Sequence, residues 1–265
     1  MTRIDRVFKR LKARGEKALI PFITAGDPDL STTRALALEM AARGADLLEL
    51  GIPFSDPLAD GPTIQAASNR AVKGGVHLAE VLKLAGELRR ETEIPLILMG
   101  YYNPILQYGL DRTAREAGAL GVDGFIIPDL PLEEAGPWRV AAAKAGVAPI
   151  LLAAPTSGPE RIRAMGRLTR GFLYYVSVTG ITGARTELPP ELIAALQEVR
   201  SLVKCPLAVG FGIATPEQVK WLAPYVDGVV VGSAIVSRVA RLRGPALLKE
   251  VGDFLAALKA PLRAG

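Results

Sequence analysis

Glu49 and Asp60 are the two residues whose placement in the sequence most directly suggests chemistry. Glu49 lies inside an apolar run, residues 47–50, that is typical of a short buried strand. Asp60 lies on the loop that follows, which is rich in Pro, Gly and Asp. A buried carboxylate is costly unless it is paired or protonated, and burial raises its pKa. Two carboxylates in unlike surroundings can divide the work, one as a proton donor and the other as a fixed anion.

Each carboxylate also has a purely structural interpretation. Glu49 could form an ion pair, although the other strand-like runs contain no Lys or Arg, so its partner would have to come from elsewhere. Asp60 precedes Gly61 and Pro62, where it could cap the next helix. Asp56 precedes Pro57 and is better explained as a turn residue. Side chains alternate along a strand, so Glu49 lies on the face opposite Leu48 and Leu50. If these leucines pack against helices, Glu49 faces the inside of a barrel, which favours a catalytic role.

Eight apolar runs alternate with helical patterns along the chain, such as residues 32–45 and 78–91. This alternation predicts a parallel sheet covered by helices, and eight repeats in 265 residues predict a single (β/α)₈ TIM barrel domain over residues 1–265. An open doubly wound sheet is the alternative, but GxGxxG does not follow the first run. The predicted strands are 18–24, 47–51, 96–101, 124–129, 149–154, 172–178, 207–212 and 228–233.

The first segment predicts an additional N-terminal helix, with Ile4, Val7, Phe8 and Leu11 on one face. A basic amphipathic helix can also be a membrane anchor or a transit peptide. This one is short, carries Asp5 and leads directly into a strand, which favours a helix that covers one end of the fold.

Composition excludes several classes of function. One Cys excludes an internal disulfide, and one Cys with one His excludes ordinary zinc sites, so no metal is expected. The net charge is +5, but the basic residues are spread along the chain, which argues against nucleic-acid binding. No apolar run approaches the ~18–20 residues of a membrane span. We therefore expect a cytoplasmic protein that does not bind a membrane.

Glycine-rich strand ends indicate a phosphate site. The segments GFGIATPEQV (210–219) and GVVVGSAIV (228–236) follow the seventh and eighth strands, where such barrels usually bind phosphate through backbone N–H groups and helix N-termini. Together with GITGAR (180–185), they predict a phosphorylated ligand. His77 and Cys205 are interpreted as a surface or capping residue and a structural residue, which leaves no Ser-His or Cys-His nucleophile system. No Lys lies in a strand run, which argues against Schiff-base chemistry.

The motifs LELGIPFSDPLADGPTIQ (48–65), PFITAGDP (21–28), YYNPI (101–105), PDLPLEE (128–134), GITGAR, GFGIATPEQV and VVGSAIV (230–236) closely resemble the α subunit of tryptophan synthase. The resemblance is collinear over essentially the whole chain. It implies a barrel that cleaves indole-3-glycerol phosphate to indole and glyceraldehyde 3-phosphate. It also implies a β subunit that holds pyridoxal phosphate and joins the indole to serine, in an α2β2 heterotetramer, with no cofactor in this chain.

The resemblance assigns roles residue by residue. Glu49 matches the catalytic acid/base, Asp60 the carboxylate that holds the indole N–H, and Tyr174 the active-site tyrosine, whereas Tyr175 stands where the family often has an aliphatic residue. Thr182 matches a loop residue that closes over the site and contacts Asp60. Substrate- or phosphate-binding positions are Phe22, Tyr101, Thr182, Gly183, Phe211, Gly212, Ile213, Gly232 and Ser233.

Several loops at the predicted barrel mouth, 53–58, 101–105 and 128–132, carry more apolar and proline residues than catalysis needs. Such a patch indicates a protein interface, here for the β subunit. The interface residues expected are Asp56, Pro57, Asn103 and Pro131. Alternatively, the prolines only stiffen the loops. The alternatives for the whole chain are another phosphate-binding barrel enzyme of indole metabolism, whose chemistry would need a lysine in the barrel, and a non-catalytic subunit that only activates a β partner.

Overall fold

The computed structural model describes residues 1–176, 190–210 and 212–263. Within these residues eight parallel strands follow one another around a closed barrel, and β8 pairs with β1. The prediction of a (β/α)₈ barrel with an N-terminal helix is therefore confirmed. The strands are β1 (Ala18–Thr24), β2 (Leu48–Gly51), β3 (Leu96–Met99), β4 (Gly124–Ile126), β5 (Ala148–Ala153), β6 (Leu173–Val176), β7 (Leu207–Gly210) and β8 (Gly228–Val231).

Helices surround the barrel. They are α1 (Arg3–Ala13), α2 (Leu30–Ala42), α3 (Pro62–Lys73), α4 (Leu78–Arg89), α5 (Tyr102–Tyr108), α6 (Leu110–Ala119), α7 (Gly136–Lys144), α8 (Pro159–Leu168), α9 (Pro190–Leu202), α10 (Pro216–Leu222), α11 (Ser233–Arg241) and α12 (Gly244–Lys259), followed by a 3₁₀ turn (Ala260–Leu262). None of the described helices is long and apolar enough to cross a membrane.

Several strands are shorter than the apolar runs that predicted them. The predicted fourth strand reaches residue 129, but β4 ends at Ile126. Ile127, the next residue, is still buried against the helices. Burial continues past the last ladder hydrogen bond, so an apolar run overestimates the length of a strand.

Alternating side chains along the strands divide the core in two. Leu48, Leu50 and Tyr175 belong to the large cluster between the sheet and the helices. Leu47 and Tyr174 belong to a smaller cluster inside the barrel. This division confirms the predicted alternation in β2, which places Glu49 on the inner side.

The N-terminal helix closes one end of the barrel. Ile4, Val7, Phe8 and Leu11 are buried in the inner cluster, and the ring centroid of Phe8 lies 5.7 Å from that of Phe172. The capping box at its polar start is formed by Thr2 and Asp5. The helix is therefore part of the core, as its apolar face predicted, and it leaves the opposite end of the barrel for the site.

Three aspartates stabilise the strand ends at the closed side. Each precedes an even-numbered strand, accepts a backbone N–H from the strand before it and pairs with a basic side chain. They are Asp46 with Lys259, Asp123 with Arg89, and Asp227 with Arg200. Each carboxylate therefore joins the preceding strand to a basic side chain at this end of the barrel. These carboxylates are structural and lie at the opposite end from Asp60.

Candidate active site

Glu49 lies at the centre of the barrel wall. β2 places it in register with Phe22 on β1 and Ile97 on β3, and it is only 1% exposed. Its Oε2 atom has no hydrogen-bond partner among the described residues. Burial, and then the charge of Asp60, raise the pKa of Glu49 to about 8. At neutral pH this side chain is therefore predominantly a neutral acid that can donate a proton.

The alternative of a structural ion pair for Glu49 finds no support in the part of the chain that the structure describes. The salt bridges formed there involve other carboxylates, most of them at the surface or at the closed end of the barrel. A buried acid without a cationic partner is expensive to ionise, so packing alone does not explain its presence.

Asp60 lies on the β2–α3 loop, residues 52–61, at the open end of the barrel. Its Oδ2 atom accepts a hydrogen bond of 3.0 Å from the hydroxyl of Tyr101. Burial raises the pKa of Asp60 to about 6, and the Tyr101 hydrogen bond opposes that rise. The capping alternative for Asp60 is wrong in this structure, because the cap residue of α3 is Gly61. Asp60 is thus free to face the barrel mouth as an anion.

Tyr174 lies inside the barrel on β6, between Leu152 on β5 and Ala208 on β7. Burial, and then the charges of Glu49 and Asp60, raise the pKa of Tyr174, so its phenol stays neutral. Tyr175 packs on the other side of the strand, against the helices. Gly210 leaves room for the phenol, because a Cβ atom at that position would lie 2.2 Å from the Tyr174 hydroxyl. Two acids and a neutral phenol therefore share one electrostatic environment.

Phe22 forms one wall of a small space at the open end of the barrel. A Cβ atom at Gly51 would lie 2.5 Å from the tip of the Phe22 ring, and one at Gly232 would lie 3.3 Å from its side. Glycine at these two strand ends therefore leaves room for the ring between β2 and β8. The ring and Tyr101 both line a small cavity of about 20 Å³ that also includes Asp60.

A larger cavity of about 480 Å³ extends from Asp60 across the ends of β4 and β5. Met99, Pro128, Leu152 and Val176 line it. Its volume suits a small aromatic ligand with a short polar chain. Pro128 belongs to the motif PDLPLEE, whereas the motifs did not identify the other three wall residues. Met99, Leu152 and Val176 are nevertheless predictable from strand alternation, since each packs against the inner cluster.

The glycine-rich strand ends meet on the same side of the mouth. Gly212 has a φ of 71°, in the region that favours glycine, and Gly232 caps the N-terminus of α11, which begins at Ser233. Ile213 is buried. The capping box predicted for α10 is present, with Thr215 and Gln218 as its partners. Thr182, Gly183 and Phe211, also expected here, lie outside the described residues.

The remaining sequence candidates are away from this site. His77 is the cap residue of α4 and is exposed, and Cys205 is half-buried just before β7, at the closed end. In the ranges that the structure describes, His, Cys, Asp and Glu side chains do not gather into a group of three that could hold a metal ion.

The residues expected at a partner interface differ in exposure. Asp56, Asn103 and Pro131 are exposed around the mouth, whereas Pro57 is buried within the β2–α3 loop. Leu58, which lies in the predicted interface loop 53–58 but was not among the residues named for it, is 90% exposed. An apolar side chain at the tip of a loop is not distinguishable in sequence from one that folds back, and only the loop conformation separates Pro57 from Leu58.

Comparisons with known proteins agree with the geometry. A family model described as tryptophan synthase alpha chain matches residues 8–255. The tryptophan synthase alpha chain of Citrifermentans bemidjiense is 51% identical over 259 residues, which cover 98% of this chain and 97% of that protein. The protein of the same name from Geotalea uraniireducens is 51% identical over 264 residues, covering 100% and 99%.

Solved structures of this kind also superpose closely. The crystal structure of tryptophan synthase subunit alpha from Legionella pneumophila has a TM-score of 0.91 and 41% identity, covering 99% of this chain and 98% of that one. The a2b2 complex of tryptophan synthase from Pyrococcus furiosus contains a chain with a TM-score of 0.87 and 39% identity, covering 92% of this chain and 98% of that one.

Proposed function

This chain belongs to the tryptophan synthase alpha chain family, and we propose that Glu49, Asp60 and Tyr174 perform the family's reaction in it. That reaction cleaves indole-3-glycerol phosphate to indole and glyceraldehyde 3-phosphate. The observation that carries the residue assignment is Glu49, a fully buried acid held neutral beside a second carboxylate at the open end of the barrel. Acids with raised pKa values beside a ligand-sized cavity are characteristic of acid–base sites, and Asp60 lines such a cavity.

The bond between the indole ring and the glycerol chain breaks only if the ring can accept its electrons. Neutral Glu49 protonates the indole carbon that bears the glycerol chain. This creates the electron sink, and positive charge develops at the ring nitrogen. Ionised Asp60 stabilises this charge. The Glu49 carboxylate then removes the proton from the hydroxyl on the departing carbon, which leaves as the aldehyde while the bond electrons restore the indole ring.

Tyr174 contributes a neutral hydroxyl beside both acids. Because burial and the nearby charges raise its pKa, it remains a hydrogen-bond donor through the working pH range. Phe22 and Tyr101 supply aromatic walls for the indole. Thr182 is assigned to the loop that closes over the site, from its position in the sequence motif.

The phosphate is held by Gly212, Gly232 and Ser233, with Gly183, Phe211 and Ile213 beside them. The supporting observation is that Gly232 and Ser233 start a helix at the mouth, where free N–H groups bind anions, and that Gly212 follows β7 next to it. The anion is placed on the β7–β8 side, so the glycerol chain spans from there to Glu49.

Replacement of Gly212 by alanine is expected to weaken the binding of glycerol phosphate by about tenfold, because the side chain obstructs close approach of the anion. Isothermal titration calorimetry measures this affinity. Gly212 has a positive φ, so any side chain there also costs about 1 kcal/mol or more in stability.

Gly244→Ala is the matched control, because Gly244 has a φ of 57° and open space around it at the start of α12. It is expected to lose similar stability and to keep the affinity for glycerol phosphate. If Gly212→Ala bound glycerol phosphate as tightly as Gly244→Ala and the wild type do, the anion would have to bind elsewhere.

The chain works with a β subunit that holds pyridoxal phosphate and receives the indole. Support for a partner comes from the Pyrococcus furiosus relative, which was solved as part of a tryptophan synthase a2b2 complex, and from the exposed loops at the mouth. We assign this chain the same α2β2 stoichiometry, no cofactor of its own, and a cytoplasmic location. A β subunit docked on Asp56, Asn103, Pro131 and Leu58 would cover the cavity that begins at Asp60.

Leu58→Ala is expected to weaken binding of the β subunit by about tenfold and to leave the stability of the isolated chain unchanged, since this side chain is exposed. Asp56→Ala is expected to act in the same direction. Binding is measured by titrating the β subunit and following activation of indole release. Val140→Ala, a 56% exposed residue on the outer helix α7, is the control. If only Val140→Ala weakened activation, the docking surface would be on the outer ring.

Indole release by the purified chain, alone and with a β subunit, tests the proposal as a whole. A catalytic α subunit releases indole from indole-3-glycerol phosphate alone and faster with its partner. A subunit that only activates its partner would release no indole alone while still stimulating the β reaction.

A further inference from the structure

Tyr101 makes two hydrogen bonds to consecutive residues of the β2–α3 loop. Its hydroxyl donates to Oδ2 of Asp60 at 3.0 Å and accepts from the backbone N–H of Ala59 at 2.9 Å. Tyr101 itself follows β3, caps the start of α5 and is 6% exposed. A buried residue on the rigid barrel therefore holds the carboxylate and the backbone of a loop from the neighbouring strand.

The ring of Tyr101 is also fixed against this loop. Its centroid lies 5.5 Å from that of Phe54, and the two rings are tilted by 31°. The backbone of Phe54 is held in turn by Ser68 on α3, whose hydroxyl accepts from the N–H at 2.8 Å and donates to the C=O at 2.9 Å. Both ends of the loop are thus attached to regular elements, and Tyr101 is the attachment that reaches the carboxylate.

We propose that Tyr101 is a positioning residue that acts through Asp60: its hydroxyl engages Oδ2, so that Oδ1 is the oxygen presented to the indole N–H. This inference rests on the proposed role of Asp60. It differs from a role as a wall of the pocket, in which the ring would matter and the hydroxyl would not.

The hydrogen bond also favours the ionised form of Asp60. Burial raises the pKa of Asp60 to about 6, and the Tyr101 hydroxyl opposes that rise by stabilising the anion. Among the described residues, the other titratable or charged groups around Asp60 are Glu49 from β2, Tyr174 from β6, Asp129 beside Tyr101 after β4, and Arg161 across the cavity. Asp60 acts as an anion, so activity is lost as the pH falls through its pKa. Removal of the hydroxyl therefore moves this acid limb to higher pH.

Tyr101→Phe tests the proposal, because it deletes the hydroxyl and keeps the ring against Phe54. A hydrogen bond to a charged group is lost, so kcat/KM for indole release at pH 7 is expected to fall by about 10–100-fold. The acid limb of the pH profile is expected to shift upward. The affinity for glycerol phosphate should be unchanged, since the phosphate is assigned to the β7–β8 side.

Tyr108→Phe is the matched control. The Tyr108 hydroxyl donates to Glu116 at 2.6 Å on the α5–α6 pair, outside the barrel mouth. This variant loses a hydroxyl–carboxylate hydrogen bond of the same kind and is expected to keep the wild-type rate and pH profile.

The double variant Tyr101→Phe with Asp60→Asn separates the possible outcomes. If Tyr101 acts through Asp60, the tyrosine change adds little to the loss already caused by Asp60→Asn. A wild-type rate with an unshifted acid limb in Tyr101→Phe, or an equal further loss in the double variant, overturns the positioning role. Wild-type activity in Asp60→Asn alone would instead overturn the proposed function of Asp60.

Discussion

Glu49→Gln is expected to reduce indole release by ~10²–10⁴-fold or more, because glutamine cannot donate or accept the proton on which cleavage depends. Glutamine has nearly the shape of the protonated acid, which is the form that burial favours here. The variant should therefore fold normally and bind glycerol phosphate like the wild type. Indole release is measured under steady-state conditions with and without the β subunit.

The matched control for Glu49→Gln is Glu39→Gln. Glu39 lies on α2 and pairs with Arg43 on the outer surface, so its replacement is expected to leave the rate unchanged. Near-wild-type indole release by Glu49→Gln would refute the assignment of the acid/base.

The same variant has a predicted effect on stability. Burial raises the pKa of Glu49 in the folded chain to about 8 from its ordinary value of 4.5, so the folded state holds a proton that the unfolded state loses. The contribution of this bound proton to the free energy of unfolding is fully present below pH 4.5 and is lost as the pH rises through about 8. Glu49→Gln does not titrate, so its stability relative to wild type should increase by about 1.4 kcal/mol per pH unit over this range. Denaturant unfolding at pH 5, 7 and 9 measures it.

Asp60→Asn is expected to lower kcat by ~10²–10³-fold, the usual cost of removing one group that stabilises charge in the transition state. Asparagine can still accept a hydrogen bond from the indole N–H, so KM should change less than kcat. A split of this kind indicates a role in the transition state rather than in ground-state binding. The measurement is kcat and KM for indole-3-glycerol phosphate across pH.

Asp129→Asn provides the control for Asp60→Asn at the same rim. Asp129 accepts the backbone N–H of Tyr102 at 2.8 Å, and asparagine can replace that hydrogen bond. It is expected to keep most of the activity. A comparable loss in both variants would mean that the negative charge of the rim matters, and not the contact that Asp60 makes with substrate.

The inward orientation of Glu49 was predictable from alternation in its strand, whereas the choice of Tyr174 over Tyr175 as the inward residue came only from the resemblance to the family. Side chains alternate along any strand, so two outward leucines determine the direction of the residue between them, whatever the barrel around it. The same local logic predicted the buried face of α1 and the capping box of α10. These features depend on neighbours within a few residues, and sequence spacing encodes them directly.

Only the tertiary structure decided how the loops at the barrel mouth are held. The hydrogen bond between Tyr101 and Asp60 joins residues on different strands, and the exposure of Leu58 beside buried Pro57 depends on the fold of one loop. The same holds for the end of β4 and for Gly61, rather than Asp60, as the cap of α3. Local patterns do not specify these contacts, because each depends on barrel closure, which brings together segments far apart in the chain.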